Sequence, residues 1–253
     1  MTYAGVTCAH ASIDLLNDYA DYKSSIDIIT IRTPLSGGTG VLPEGLLQPR
    51  AVYRAGIFLL GCATIIGLVL TIMRGYVVGA LLVFGILSVY FYSTKIANYG
   101  FGEVLLVVKG TLIVVGTYYV QSLAFAAPPL LAGVIMGLLS SSALYVNQFP
   151  DYNADKQCGR RNLVVRLGLR NAAKAYVIYP MLSYSILTIG VRIGDIPILA
   201  LFSVVALPFF YKTFRRLTVG KFDNSSLFPA MTQNVFGARI MGVIITLAYL
   251  IAA

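Results

Sequence analysis

The sequence predicts an all-α fold, a polytopic membrane helical bundle with about eight transmembrane spans. Of its 253 residues, 58% are hydrophobic and 11% are charged, and the mean hydropathy is +0.80. Long apolar runs recur along the whole chain, which excludes a soluble protein with one signal segment. The predicted spans lie near residues 1–19, 52–73, 76–94, 104–125, 129–149, 172–190, 196–211 and 232–252. We expect them to form a single transmembrane domain over residues 1–253.

Basic residues divide unequally between the two faces of this predicted bundle. Fifteen Lys and Arg residues lie on the side of the loops that follow odd-numbered spans, and only Arg74 and Arg192 fall in the opposite loops. Because cytoplasmic loops carry an excess of basic residues, the richer face is predicted to be cytoplasmic in a plasma-membrane protein. Eight spans then place both termini outside, so we expect that a first helix is missing before Met1 and that the chain is N-terminally truncated.

The composition also limits the chemistry of the protein. The net charge of +9 is explained by basic residues that determine membrane topology and bind anions. A nucleic-acid partner is not predicted, because the sequence lacks a basic patch interleaved with aromatic residues. Cys8, Cys62 and Cys158 lack the spacing of a zinc site or a disulfide framework. A single histidine excludes a multi-histidine metal centre.

Two acidic segments follow predicted spans that end on the same membrane face. In "DLLNDYAD", Asn17 and Asp21 are four residues apart and therefore share one stripe of a helix. In "NQFPDYNAD", the same spacing recurs at Asp151 and Asp155. The pattern indicates two carboxylate walls that face each other.

Such carboxylates favour a divalent-metal site for a diphosphate. Carboxylates near the membrane are costly to desolvate unless cations neutralise them. Mg²⁺ takes one or two carboxylates together with phosphate oxygens and water, so two walls suit two ions on one diphosphate. The alternative is that these residues are helix caps and solvated loop acids, which a single motif would suggest equally well.

Cationic residues are predicted on the same face. Lys156, Arg160 and Arg161 follow the second motif, and Arg32 and Lys95 lie in two of the other loops on that face. They could bind diphosphate oxygens and stabilise the charge that builds as the diphosphate leaves, although each could instead only determine topology. The glycine-rich "SGGTG" at 36–40 could cradle phosphate, act as a lid or form a simple turn.

The acidic segments resemble a known family. "NDYADYKSSID" together with "PDYNADKQCGRRNLVVRLG" resembles the UbiA superfamily of intramembrane prenyltransferases, which carry an NDxxDxxxD motif and a later DxxxD motif. "RTPLSGGTGVLPEGLLQP" and "YSTKIANYGFGE" extend the likeness. Within the family, "DYKSSID" and "GFGE" are most similar to the 1,4-dihydroxy-2-naphthoate prenyltransferases of menaquinone synthesis.

The resemblance implies a nine-helix bundle around a central cavity in which Mg²⁺ bridges a prenyl diphosphate. By motif position, Asn17 and Asp21 would hold one metal ion, and Asp151 and Asp155 the other. The three aspartates would be the catalytic residues, and Asn17 would also contact the substrate.

Two positions depart from the family pattern. Ser25 stands where the third aspartate of the first motif is expected, and Asp27 follows two residues later as a candidate metal ligand. The YxxxK element of the family is represented by Tyr92 and Lys95, three residues apart, as candidate substrate-binding residues.

The predicted function is Mg²⁺-dependent transfer of a polyprenyl group from a prenyl diphosphate to an aromatic acceptor, 1,4-dihydroxy-2-naphthoate, in membrane quinone biosynthesis. The tail would lie among apolar helices and membrane lipid while the charged head meets the acids. Transfer to 4-hydroxybenzoate or to a glycerol-phosphate lipid is an alternative. A non-enzymatic cation transporter is another, but transporters usually place ion ligands near the bilayer midplane.

Overall fold

The structure is a computed structural model. It describes residues 1–30, 32, 33, 35, 37–94 and 100–252, without the side chains of residues 92–94 and 224. These residues form α1 (Thr2–Lys23), α2 (Ile26–Ile29), α3 (Pro49–Arg74), α4 (Tyr76–Thr94), α5 (Gly102–Ser122), α6 (Ala127–Gln157), α7 (Leu163–Leu167), α8 (Leu169–Ala175), α9 (Ile178–Ile193), a 3₁₀ helix (Ile198–Ala206), α10 (Leu207–Val219) and α11 (Asn224–Ala252).

Helices account for every predicted span, which confirms the all-α polytopic fold. Six segments are long and apolar enough to cross a membrane, judged by length and composition within the described residues. They are Pro49–Arg74, Gly102–Ser122, Ala127–Gln157, Leu169–Ile193, Ile198–Val219 and Ser225–Ala252. Tyr76–Phe91 is apolar but shorter. α1 is not among the six, and it carries the acidic residues of the first motif.

The chain divides into two compact units. The first contains residues 1–102, 116–124 and 153–162, and the second contains residues 103–115, 125–152 and 163–253. In the first unit α1 packs against α3 and α4. The buried Ser12 hydroxyl donates a hydrogen bond to the Gly56 carbonyl at 2.8 Å, and a Cβ at Gly56 would lie 3.0 Å from Leu16. Close packing on α3 therefore holds α1 in place.

In the second unit, small residues bring α5 and α6 close together. The sequence "GVIMG" places Gly133 and Gly137 one turn apart on α6, a spacing typical of close helix contacts in membranes. A Cβ at Gly137 would lie 2.4 Å from the Val107 carbonyl oxygen, and a Cβ at Gly110 would lie 2.6 Å from the Gly137 Cα. The contact is therefore backbone against backbone, which leaves no room for a side chain.

Gly137→Ala is expected to destabilise the protein because the added methyl group forces α5 and α6 apart. Overpacking of this kind costs about 1–3 kcal/mol. Thermal unfolding of the purified protein in detergent would measure the loss. Gly61→Ala is the matched control: Gly61 lies within α3, and a Cβ there would meet no neighbouring atom within 4 Å. Equal stability of the two variants would contradict the close α5–α6 contact.

Candidate active site

The first acidic motif lies at the carboxyl-terminal end of α1. The Asn17 side-chain amide donates a hydrogen bond to Oδ2 of Asp21 at 3.1 Å, one helical turn away. Asp21 is buried, whereas Lys23 at the end of the helix is exposed. The predicted helical stripe of Asn17 and Asp21 is therefore present, and the amide fixes the orientation of the carboxylate.

The second motif lies at the end of α6, where the chain turns back on itself. α6 ends at Gln157, and Gly159 adopts φ +78°, a conformation that favours glycine. After this turn the Arg160 backbone N–H donates to the Asp155 carbonyl oxygen at 2.8 Å. The Asn162 side-chain amide donates to Oδ2 of the buried Asp155 at 2.6 Å. The turn thus folds Arg160 and Asn162 back onto the motif.

Arg160 joins the two motifs. Its Nη2 forms an ion pair with Oδ1 of Asp21, and its Nη1 lies 3.4 Å from Oδ2 of Asp21. The same Nη1 lies 3.5 Å from Oδ1 of Asp155. All three side chains belong to the first compact unit. A guanidinium group, which is planar and always charged, is suited to bridging two carboxylates in this way.

Further carboxylates surround this ion-paired group. Burial and the negative charges of Asp21 and Asp18 raise the pKa of Asp27 to about 7, while the charges of Arg160 and Arg32 oppose the shift. Burial is the largest cause of this shift, and the charges of Asp21 and Asp18 add to it because like charges disfavour the ionised form. The predicted ligand Asp27 is therefore electrostatically part of the same acidic cluster.

The carboxylate oxygens of this cluster suit a divalent cation that also binds a substrate. Oδ1 of Asp155 is buried and accepts no hydrogen bond from the described residues. Among those residues, no three carboxylate, imidazole or thiol groups lie close enough to enclose a metal ion by themselves. Mg²⁺ bound to a phosphate substrate needs only one or two carboxylates, because phosphate oxygens and water complete its octahedron. Asp21, Asp27 and Asp155 are thus suited to a substrate-bridging ion.

The glycine-rich segment packs against the acidic cluster. Thr39 donates to Oδ2 of Asp18 through its hydroxyl at 2.5 Å and through its backbone N–H at 3.4 Å. Gly38 has φ +68°, and a Cβ there would lie 2.5 Å from Oδ2 of Asp27. Glycine is required here because the backbone approaches the carboxylate too closely for a side chain. Thr39 is thereby tied to α1, and its N–H binds a carboxylate in this structure.

Arg32 lies beside the same segment. It forms an ion pair with Glu44 and donates from Nη1 to the Thr39 carbonyl oxygen at 3.1 Å. About 40% of its side chain remains exposed. Arg32 therefore holds the segment in place while it stays accessible to a substrate.

The other predicted residues lie on α6, just after its end, or outside the described residues. Lys156 and Arg161 are exposed near the end of α6. Asp151 is half-buried one turn before Asp155 on α6 and belongs to the second compact unit. The Tyr92 side chain and the whole of Lys95 lie outside the described residues. The roles of these five residues stay predictions.

Sequence reasoning missed Asp18, Thr39 and Asn162 as members of the cluster. Asp18 lies inside "NDYAD", three residues before Asp21, and so it is outside the four-residue spacing of the motif. Its contact with Thr39 depends on the path of the glycine-rich segment. Asn162 follows the sequence "GRR". The glycine of this sequence was the only local feature that could indicate a turn of the chain back onto Asp155. These contacts are tertiary, so residue spacing did not indicate them.

Comparison with known proteins gives a family match over most of the chain. The model of the UbiA prenyltransferase family matches residues 1–234. The match includes both acidic motifs, Arg160 and the glycine-rich segment. No solved structure matches the chain.

Several curated proteins are similar in sequence. The 1,4-dihydroxy-2-naphthoate octaprenyltransferase of Escherichia coli (strain K12) is 26% identical over 256 residues, covering 92% of this chain and 78% of that protein. The protein of the same name from Mycobacterium leprae (strain TN) is 32% identical over 169 residues, covering 65% of this chain and 55% of that protein.

A third relative carries a different name. The 2-carboxy-1,4-naphthoquinone phytyltransferase of Synechocystis sp. (strain ATCC 27184 / PCC 6803 / Kazusa) is 25% identical over 154 residues, covering 58% of this chain and 50% of that protein. The chain thus spans about four fifths of the Escherichia coli protein and about half of the other two.

Proposed function

Because the chain belongs to the UbiA prenyltransferase family, we propose that it transfers a polyprenyl group from a prenyl diphosphate to an aromatic acceptor. The acceptor we propose is 1,4-dihydroxy-2-naphthoate, and the process is membrane quinone biosynthesis. The names of the Escherichia coli and Mycobacterium leprae relatives support this acceptor. The name of the Synechocystis relative also contains a naphthalene-derived acceptor.

The observation that carries the proposal is the position of Arg160 between Asp21 and Asp155. It brings a residue of each acidic motif to one cationic group at the ends of α1 and α6. A guanidinium group beside carboxylates can bind a diphosphate bidentately once cations neutralise the acids. A site of this kind suits a charged head at a membrane face, with its apolar tail among the helices.

The proposed roles follow from this arrangement. Asn17, Asp21 and Asp155, with Asp27 and Asp151, would hold Mg²⁺. When bound, Mg²⁺ supplies positive charge that neutralises the diphosphate as it leaves. Arg160 would then turn from the carboxylates toward diphosphate oxygens.

The remaining cations and the tail have roles in the same proposal. Lys156, Arg161 and Arg32 would attract the anionic head, with Tyr92 and Lys95 as further contacts. The bond between the prenyl carbon and the diphosphate oxygen breaks, the prenyl carbon bonds to a carbon of the electron-rich ring, and that ring carbon loses its proton to solvent, so that aromaticity is restored. We place the site on the cytoplasmic face of the plasma membrane, because the loops on that face hold most of the basic residues.

Chelation with EDTA is expected to abolish prenyl transfer by the purified protein, and added Mg²⁺ is expected to restore it. The reason is that the carboxylates of the cluster repel a diphosphate unless divalent cations neutralise both. The measurement is release of diphosphate from a labelled prenyl diphosphate in the presence of 1,4-dihydroxy-2-naphthoate.

The same assay with other acceptors distinguishes the proposed function from its alternatives. Parallel reactions contain 4-hydroxybenzoate, a glycerol-phosphate lipid or no acceptor. Faster transfer to one of these acceptors would replace the proposed acceptor and leave prenyl transfer intact. No transfer to any acceptor, together with Mg²⁺ flux into vesicles that carry the protein, would replace the enzyme with a transporter. Full activity in excess chelator would contradict the metal site.

A further inference from the structure

The second compact unit contains a cavity whose lining includes none of the residues assigned above. It has a volume of about 810 Å³. Its lining comes from the carboxyl-terminal part of α6 at Tyr152, from the α7–α8 connection, and from the end of α10 with the loop that follows. α8 begins at Leu169 and α10 ends at Val219, both beside lining residues, so the cavity lies at the level of helix ends. The loops involved are among those predicted to be rich in basic residues.

Three cationic side chains line this cavity. They are Arg170 and Lys174 on α8 and Lys221 in the loop after α10. None of the three forms an ion pair or a side-chain hydrogen bond with the residues that the structure describes. No aspartate or glutamate lines the cavity. Like charges gathered without a counter-ion favour an anion from outside the chain.

The rest of the lining is partly apolar. Leu167, Leu169 and Phe222 contribute to it. Phe222 adopts φ +56°, which is unusual for a bulky residue, and its ring stacks on Phe149 with centroids 6.1 Å apart and planes 15° apart. Strained backbone of this kind persists only where its surroundings hold it, and it clusters at ligand-binding sites. Phe222 therefore presents an apolar surface to the cavity beside the cations.

We propose that this cavity binds the phosphate headgroup of an anionic phospholipid from the surrounding membrane. Arg170, Lys174 and Lys221 would contact the phosphate oxygens, and the hydroxyl of Thr218 and the amide of Asn171 also line the cavity. Basic pockets at the ends of membrane helices suit lipid headgroups, which lie at this level of the bilayer.

Two features favour a lipid over free inorganic phosphate. The volume of about 810 Å³ exceeds the space that a single phosphate needs, so a headgroup with its glycerol can enter. The apolar surface of Phe222 and the two leucines would gain nothing from a bare phosphate, but it can pack against the first part of an acyl chain. None of the lining residues has an assigned role in the proposed prenyl transfer, so the lipid proposal does not rest on that function.

The test is titration of the purified full-length protein with phosphatidylglycerol and with phosphatidylcholine of the same acyl chains, followed by native mass spectrometry. Phosphatidylglycerol is expected to bind more tightly. In the triple variant Arg170→Gln/Lys174→Gln/Lys221→Gln its affinity should fall about 50-fold or more, because each basic side chain that contacts the phosphate contributes about fivefold. The control Arg50→Gln/Arg54→Gln/Lys212→Gln removes the same charge from exposed residues outside the cavity and should stay within about threefold of the parent.

A second variant tests the apolar surface. Phe222→Gly removes the ring and suits the positive φ, so it should keep the thermal stability of the parent while phosphatidylglycerol affinity falls about fivefold. Inorganic phosphate at millimolar concentration should not displace the lipid. Displacement by phosphate alone would make the site one for a free anion. Equal losses in the cavity and control triple variants would reduce the effect to general surface charge. Either result would overturn the proposal.

Discussion

Asp21→Asn and Asp155→Asn are each expected to lower prenyl transfer by about 100-fold or more. Asparagine keeps the shape of the side chain but removes the negative charge that offsets Mg²⁺ and Arg160, and groups that stabilise a developing charge typically contribute about 10²–10³-fold. The measurement is diphosphate release from a labelled prenyl donor with 1,4-dihydroxy-2-naphthoate as acceptor. KM and kcat should be separated, because a loss confined to KM would indicate ground-state binding only.

Asp195→Asn is the matched control for these two variants. Asp195 lies between α9 and the 3₁₀ helix, in a loop predicted to face the opposite side of the membrane. Its backbone carbonyl, which the substitution retains, accepts a hydrogen bond from Tyr249 at 2.9 Å. Turnover should therefore stay within a few-fold of the parent. Parental turnover in both acidic variants, together with a loss in Asp195→Asn, would place the active site on the other face.

Arg160→Gln is expected to destabilise the metal-free protein and to lower transfer by about 100-fold. Without the guanidinium, Asp21 and Asp155 lose the cation that they share. Removing one partner of a largely buried ion pair costs about 3–5 kcal/mol. Thermal unfolding in EDTA measures the loss of stability. Mg²⁺ with a non-hydrolysable prenyl diphosphate analogue should recover part of it, because the added cations replace the missing charge.

Two further variants test whether the effect of Arg160→Gln comes from the contacts of this guanidinium group. Arg160→Lys keeps the charge but loses the bidentate geometry, so its stability and turnover should lie between those of the parent and Arg160→Gln. Arg215→Gln is the control: Arg215 lies on α10 and donates to the Tyr211 hydroxyl at 3.3 Å, outside the acidic cluster. A metal-free Arg160→Gln protein as stable as the parent would show that Arg160 does not hold the two motifs together.

The helices were predictable from the sequence because each long apolar run must satisfy its backbone hydrogen bonds within itself when it lies in a membrane, and an α-helix does so. The Asn17–Asp21 contact was predictable as well, since residues four apart meet on a helix regardless of the rest of the fold. These are local relations, and the helical period fixes them.

The meeting of the two motifs at one guanidinium group could not be derived in the same way. At the second motif, Asp155 pairs with Arg160 and accepts a hydrogen bond from Asn162, two residues that follow the end of α6. The left-handed turn at Gly159 decides this, because it sets the direction in which the chain leaves α6. The contact between Asp18 and Thr39 likewise depends on the path of the glycine-rich segment.

The central claim is that Asp21 and Asp155, one from each motif, act on the same prenyl diphosphate, and a double-mutant cycle on turnover tests it most directly. Asp21→Ala, Asp155→Ala and the double variant would be compared with the parent in a radiolabelled transfer assay sensitive to losses of about 10⁵-fold, after unfolding measurements show that all four are folded. The losses of turnover caused by residues that act as a unit are strongly non-additive. The turnover of the double variant should therefore lie within about tenfold of that of the less active single variant. A loss in the double variant equal to the product of the two single losses would mean that the two carboxylates act independently, and it would contradict a shared site.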